Sequence, residues 1–579
     1  MSNRDDLLRS YEVGNFLEVV YASLLEDYND RNELVLELVS LHNEGLIDIV
    51  GAFASLKNNL PNGPDFFLTR LVFEEALPAL EASVPSVLGC VVQLYKGAGQ
   101  DLAAGTIIDG FIAFCEKDSS RSREVLAEIE ACPDDFIDLL PATLIAGSRI
   151  DHPFYLSQVI RLSEDENVEL RRGAIFSIGR LNWPDGIMGC DSGFSVLERC
   201  IAVETDDHIL GNIVKSAFAL LQRDTTQVPR AVELIVASLA KGGEYSLHAG
   251  SSLFALNTSN LPPTLLDALL VHLARLKTPN NGILDNIDYG ISNLLKKDDP
   301  EKAIQLLEAL LLANPNDLSM EVFKSTVGYI LRNKALISKI LTRWFLRGDR
   351  ALCNAVHAII GMHHGKDFLL EIDSSELEPA DLVHMVFVAR KAIGYLFMQP
   401  TSAASVLISL MRHTTDDKVL ASLGELLFDP LLLNFTGKVR EYVQQQSCLE
   451  SGKVEVTIAQ SLKAIDVYLE DLRAVGNLAA LHPGEGQRET HNRHFSRLMM
   501  ESMKAAEDQS ILLKLVSKSV ILYGKKSIFY VYGSDGQSHR KEMTLQCHST
   551  EMEVPRMENL DPFGLDYMLR HFRNEQFKA

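Results

Sequence analysis

The sequence predicts an all-α chain, an α-solenoid built as a superhelix of helical hairpins, followed by a small α+β module at the C-terminal end. Three observations predict it. Residues 1 to about 480 read as helix after helix, broken by short turns rich in Asp, Asn, Pro and Gly. In the middle of the chain an apolar helical face returns at a spacing near 38 residues. After Leu481 the periodicity changes from helical to alternating, and the local charge changes sign.

Size and charge set the frame for these observations. At 579 residues the chain is too long for one ordinary domain, and suits either several domains or one elongated repeat array. Apolar residues make up 46% and charged residues 23%, the balance of a folded protein and not of a disordered one. Subtracting 78 acidic from 55 basic residues gives −23. A surface that negative repels phosphate, so the chain as a whole is a poor binder of nucleic acid or of anionic membrane. A local basic patch escapes that rule. The start, Met1-Ser2-Asn3-Arg4-Asp5-Asp6, is polar and runs into an amphipathic helix, unlike a signal peptide. No apolar run approaches the roughly 18 residues a membrane span needs. Cys90, Cys115, Cys132, Cys190, Cys200, Cys353, Cys448 and Cys547 are scattered without a CxxC pair, which fits reduced thiols and a cytoplasmic setting.

The helices of residues 1–481 are delimited by turns such as Pro61-Asn62-Gly63-Pro64, Asn182-Trp183-Pro184-Asp185-Gly186 and Asn280-Asn281-Gly282. Leu170, Ala174, Ile178 and Leu181 fall on one helical face, with the small Ser177 among them. The same face returns as Ile209, Ile213, Ala217 and Leu220 with Ser216, and as Tyr245, Ala249, Leu253 and Leu256 with Ser252. A fourth copy is Ile283, Ile287, Ile291 and Leu294 with Gly290. The starts are separated by 39, 36 and 38 residues. Such a period holds two helices of about 12 to 15 residues and two turns. One hairpin of that size cannot bury its apolar face alone, so neighbours must stack, and the small residue lets the next helix approach. A helical bundle is the competing arrangement.

Asp165 to Gly179, with Leu170-Arg171-Arg172, Ala174 and Ile178-Gly179, resembles the second helix of a HEAT repeat. That pattern sets an acidic turn before an aliphatic residue and arginine, then Ala, then an aliphatic residue and Gly. The other copies keep the apolar face but carry Leu210, Ser246 and Leu284 at the Arg171 position. The resemblance is clearest over residues 165–300. It implies a HEAT/armadillo-like superhelix, a fold used mostly to bind other macromolecules along an extended face. It implies no cofactor and no particular partner.

The signatures of catalysis fail in turn. HEAT-like iron hydroxylases carry His-Glu dipeptides, and none occurs here. HEAT-like DNA glycosylases need a basic concave face, which the net charge opposes. Gly524-Lys525-Lys526-Ser527 resembles the end of a phosphate-binding loop, but Ser519 stands where its first glycine belongs. Gly97-Ala98-Gly99 lacks the third glycine of a dinucleotide fingerprint, having Leu102 there, and Asp191-Ser192-Gly193 sits in all-α surroundings. His357 and His363-His364, with Asp367 nearby, read as a helix C-terminus, where imidazole favours the dipole. His491 and His494 lie in a solvated helix. No metal ligand and no catalytic residue is assigned.

His482 to Gln487 reads as a linker and residues 488–579 as the separate C-terminal module. A helix ends near Ser510, and β-type runs follow at Ser519–Tyr523, Ile528–Tyr532 and Glu542–His548, with a hairpin signal at Asp535-Gly536. Between Arg488 and Ser549 ten basic residues face six acids, a local charge of +4. With Tyr523, Phe529, Tyr530 and Tyr532 interleaved, Lys525, Lys526, Arg540 and Lys541 are the candidate contacts for a partner or a nucleic acid. The leading function is a non-catalytic protein–protein interaction scaffold within a cytoplasmic multi-protein assembly. The alternatives are a nucleic-acid-associated adaptor using the basic module, and an enzyme of unrecognised type.

Overall fold

A computed structural model describes residues 4–26, 31–58, 63–99, 101–183, 187–277, 280–297, 300–363, 368–377, 382–476, 483–509, 526–532, 538–544 and 553–577. The chain divides into two compact units, 1–333 and 334–579. The sequence had suggested one solenoid over 1–481. The division falls where the Lys324–Arg332 helix stops at Asn333, whose backbone is extended at φ −112°, ψ 97°.

In the first unit the helices stack in two rows, as a solenoid of hairpins requires. Leu140–Ile150, Val168–Ile178, Asp207–Arg223, Glu244–Asn257, Asn281–Leu295 and Lys324–Arg332 each pack on the next of that row. Ile187–Val203, Val228–Lys241, Pro263–Leu273 and Glu301–Ala313 form the second row in the same way. Several of these helices start where their sequence can satisfy the free N–H groups of the first turn. The Asn167 side chain accepts from Glu169 N, Asp206 from Ile209 N, and Asn280 from Gly282 N and Ile283 N. Pro229 and Pro263 sit in the first turns of their helices, where a missing N–H costs nothing.

The predicted faces at 170, 209 and 283 are the buried ones. Ser216 is buried and its hydroxyl donates to Ile175 O of the preceding repeat at 2.8 Å. Gly179 lies against that same helix, and a Cβ there would come within 2.8 Å of Ser216 Cα. At Gly290 an added Cβ would strike the Phe254 ring, so a fully buried phenylalanine fills the space the glycine leaves. The third copy needs correction by one residue. Ala249 and Leu253 are buried as read, but Leu256 is 77% exposed, and Ser246, Gly250 and Phe254 complete the buried face. The starts are then 170, 209, 246 and 283, with steps of 39, 37 and 37. Ser246 takes the position of an apolar residue because its hydroxyl donates to Gly243 O at 3.1 Å and its N–H to Asp207 at 3.1 Å.

The acidic turns tie one repeat to the next. Arg172 forms a bidentate pair with Asp206, its Nη2 2.7 Å from Oδ2, while Arg171 pairs with Glu204 at 3.1 Å. Asp207 reaches forward and accepts from the N–H groups of Gly243, Tyr245 and Ser246, capping the next repeat's helix. Asp288 does the same for Ser325 and Thr326, both at 2.8 Å.

Among the described residues the second unit is again helical, without a strand, through Val475. Arg350–Gly361, Leu382–Leu396, Asp417–Leu426 and Gly452–Val475 stack in one row, with Pro400–Arg412 on Lys438–Leu449 beside them. Pro400–Arg412 is buried from Thr401 to Met411, its serines included. Ser402 donates to Phe368 O, while Ser405 and Ser409 accept from Leu370 N and Ile372 N. These bonds hold an extended segment across the helix.

An α+β module at the C-terminal end is not supported. Two strands, Lys526–Tyr532 and Ser538–Thr544, pair as an antiparallel hairpin. The expected strand at Ser519–Tyr523, the Asp535-Gly536 turn and His482 of the linker lie outside the described residues. The Glu485–Gln509 helix begins inside the stretch read as linker. Beyond the hairpin, Pro562–Asn574 packs on the Leu382–Leu396 helix, where Phe572 meets Gly394, and its apolar Leu565 and Phe572 are both buried.

Candidate functional site

The hairpin register distributes the four basic candidates. Lys526 opposes Thr544, Arg540 opposes Tyr530, and Lys541 opposes Phe529. Adjacent strand positions belong to opposite faces, so 540 and 541 do not share one. Arg540 is exposed and donates to Glu542 at 2.6 Å, which neutralises it locally. Lys525 lies outside the described residues. By the same alternation positions 526 and 540 share one face of the hairpin and 541 belongs to the other.

A second arrangement is far more closely built. Residues 553–577 run as a strap over the second unit. Glu553 caps the Lys438–Leu449 helix by accepting from Gly437 N at 2.7 Å and Lys438 N at 3.0 Å. Met557 N donates to Asn434 Oδ1 at 2.8 Å, and Arg556 lies over the Tyr468 ring, 5.7 Å from its centroid. Asp561 N-caps the Pro562–Asn574 helix through Gly564 N at 2.9 Å. That helix closes on Leu382–Leu396 at Gly394, where a Cβ would lie 3.2 Å from both Arg573 and Phe572.

The strap's far end holds its polar contacts. Lys391 is fully buried, yet its ammonium donates to Arg573 O at 2.8 Å and Glu575 O at 2.5 Å. These are carbonyls at the end of a helix, where unpaired acceptors and the negative dipole end coincide. Burial pushes the Lys391 pKa down, while Cys353 and Glu575 act to raise it. Arg390 pairs with Glu575 at 2.9 Å, and Phe577 stacks on His384 with ring centroids 3.9 Å apart. The site thus holds the C-terminus of a helix of this chain together with the aromatic residue that follows it.

Several other titratable groups are packed away. Burial drives the thiols of Cys90, Cys115 and Cys353 up to about 12, so they stay protonated and inert. His363 rests edge-on against Phe368, with centroids 4.7 Å apart, while His364 and Asp367 lie outside the described residues. His494 stands 3.8 Å from Glu558 of the strap. Among the described residues no group of three or more His, Cys, Asp or Glu side chains could hold a metal ion. Nor, among them, is any helix long and apolar enough to cross a membrane.

Comparison with known proteins adds little. No protein-family profile matches the chain. No curated protein matches it either. A chain of the Pds5–Scc1 complex, whose structure was described with implications for cohesin function, is 12% identical over 88% of this chain and 87% of that one. The TM-score is 0.27. At that value the two chains do not superpose as one fold, and the solenoid rests on the helix packing described above.

Sequence reasoning missed the strap. Its signals were Asp561 and Pro562 as a helix start, with Leu565 and Phe572 seven residues apart on one face. Grouping these residues with the basic hairpin hid the fact that their apolar side faces another part of the chain.

Proposed function

We propose that the protein is a non-catalytic interaction scaffold, holding segments of partner proteins along its solenoid within a cytoplasmic multi-protein assembly. The observation that carries the reading is the strap. The second unit already binds a helical segment by burying Leu565 and Phe572 and capturing its terminal carbonyls with Lys391. Those are the means by which a solenoid would hold a partner's helix. The basic hairpin, with Lys525, Lys526, Arg540 and Lys541, is proposed as a second contact, to a protein or to nucleic acid. Affinity purification of the tagged full chain from native extract tests the reading. A partner in stoichiometric amount is expected, retained at a salt concentration that strips nonspecific proteins. A chain that purifies alone under every condition of salt and cross-linking overturns it.

A further inference from the structure

A groove of about 700 Å³ opens between two consecutive repeats of the first unit. One wall is the Gly242–Gly243 turn between the Val228–Lys241 and Glu244–Asn257 helices. The other is the end of Pro263–Leu273 and the start of Asn281–Leu295. Leu276 and Ile283 are buried beneath it, while Leu239 and Leu247 are only half-buried and give it an apolar floor. The two glycines keep the first wall free of side chains. A Cβ at Gly242 would strike Ser246, and one at Gly243 would lie 3.1 Å from Asp207.

The rim is basic in an acidic molecule. Arg275 and Lys277 are exposed, and neither side chain has an ion-pair or hydrogen-bond partner among the described residues. Several other arginines of this unit pair with a carboxylate from another element, as Arg31 does with Glu75, Arg161 with Glu130 and Arg230 with Glu198. The groove's own acid, Glu244, already accepts from Asn280. Asp207, behind the glycines, is taken up by three backbone N–H groups. Burial and the neighbouring Arg275 charge lower the His272 pKa, which leaves that imidazole neutral at neutral pH.

We propose that this groove binds a short extended segment of a partner protein, one that carries a carboxylate side chain beside an aliphatic or aromatic one. The carboxylate would pair with Arg275 and Lys277, and its apolar neighbour would cover Leu239 and Leu247. Charge complementarity selects this ligand over a polyphosphate. Two cations balance one or two carboxylates, whereas a nucleic acid would bring its other phosphates against a chain of net charge −23. The proposal rests on the scaffold reading and gives it a site and a ligand chemistry.

Short fluorescein-labelled peptides containing Asp-Leu, Glu-Leu or Glu-Phe, with Asn-Leu and Gln-Leu controls, test it by anisotropy against the full chain. The acidic peptides should bind saturably and lose affinity as salt is raised, and the amide controls should bind about tenfold more weakly. Arg275→Glu with Lys277→Glu should weaken the acidic peptides by about tenfold or more at unchanged melting. Leu247→Gln should weaken them without altering the salt dependence. The proposal is overturned if no acidic peptide saturates, or if the amide controls bind as well. Native purification separates the two readings. Partners kept by a charge-reversed chain that shows no peptide binding would leave the scaffold standing and remove the groove.

Discussion

Lys391 and Arg573 are 182 residues apart in sequence, and the ammonium of the first donates to the carbonyl of the second at 2.8 Å inside the protein. A buried lysine is costly unless its charge and its three donors are met. Two carbonyls at a helix end meet two of those donors here, and they belong to a segment that follows the hairpin. The contact joins the C-terminal end to the solenoid more tightly than composition alone would indicate.

Replacing Lys391 by Met keeps the side chain's length and removes the donor. Arg573 O and Glu575 O would then be left without this partner, at a cost of about 1 to 3 kcal/mol. The expected outcome is faster amide exchange across 562–574, with the Pro400–Arg412 helix unchanged. Equal exchange in both proteins would mean that apolar contacts alone hold the strap.

Gly394→Leu attacks the same docking from the other side. The new side chain enters a gap in which even a Cβ meets Arg573 and Phe572 at 3.2 Å. The strap should be released to protease while the solenoid keeps its helical signal. Protection equal to that of the unaltered chain would place the strap elsewhere.

The repeat register is open to a paired test. Ser216→Leu puts bulk between Ser216 and Ile175 and should destabilise by about 1 to 3 kcal/mol. Phe254→Ala should cost about 3 to 5 kcal/mol by opening a cavity beside Gly290. Leu256→Ser, on the exposed side of the same helix, should change melting by less than about 0.5 kcal/mol. A large loss at Leu256 would restore the register read from sequence.

Acid should loosen the repeats through their capping aspartates. Arg172 holds the Asp206 pKa below the ordinary range. For Asp207, burial pushes upward, but the N–H groups of Gly243, Tyr245 and Ser246 outweigh it and the net shift is downward. A carboxylate with a depressed folded pKa stabilises above its unfolded value, about 3.9, and the contribution is lost as pH falls through the folded value. Melting followed from about pH 5 to pH 2 should therefore fall. Asp207→Ala should lose about 1 to 2 kcal/mol at neutral pH and show a shallower acid dependence. An unchanged slope would show that other groups govern acid stability.

Much of this could be read from residues alone, for identifiable reasons. Leu170, Ile178, Ile209 and Ile283 announce their buried faces through helical spacing, and Asp206 announces a helix start. The third repeat misled because Tyr245 looks more apolar than Ser246, whereas burial of Ser246 depends on bonds to Gly243 and Asp207 that only the fold supplies. The groove was illegible for the same cause. Gly242-Gly243 and Arg275-x-Lys277 are ordinary turn residues until one repeat's length brings them together. The strap depended on a contact across more than 180 residues, which no local pattern carries.

The claim that the solenoid holds helical segments as ligands is tested most directly by supplying the strap in trans. The full chain carrying Phe572→Asp has its own strap weakened, and a labelled peptide of residues 553–577 is titrated into it. Saturable binding is predicted, abolished when Gly394→Leu is added to the same chain. The unaltered chain should bind more weakly, because its tethered strap competes at an effective concentration of about millimolar. No binding to the Phe572→Asp chain, or equal binding once Gly394→Leu is added, would contradict the account.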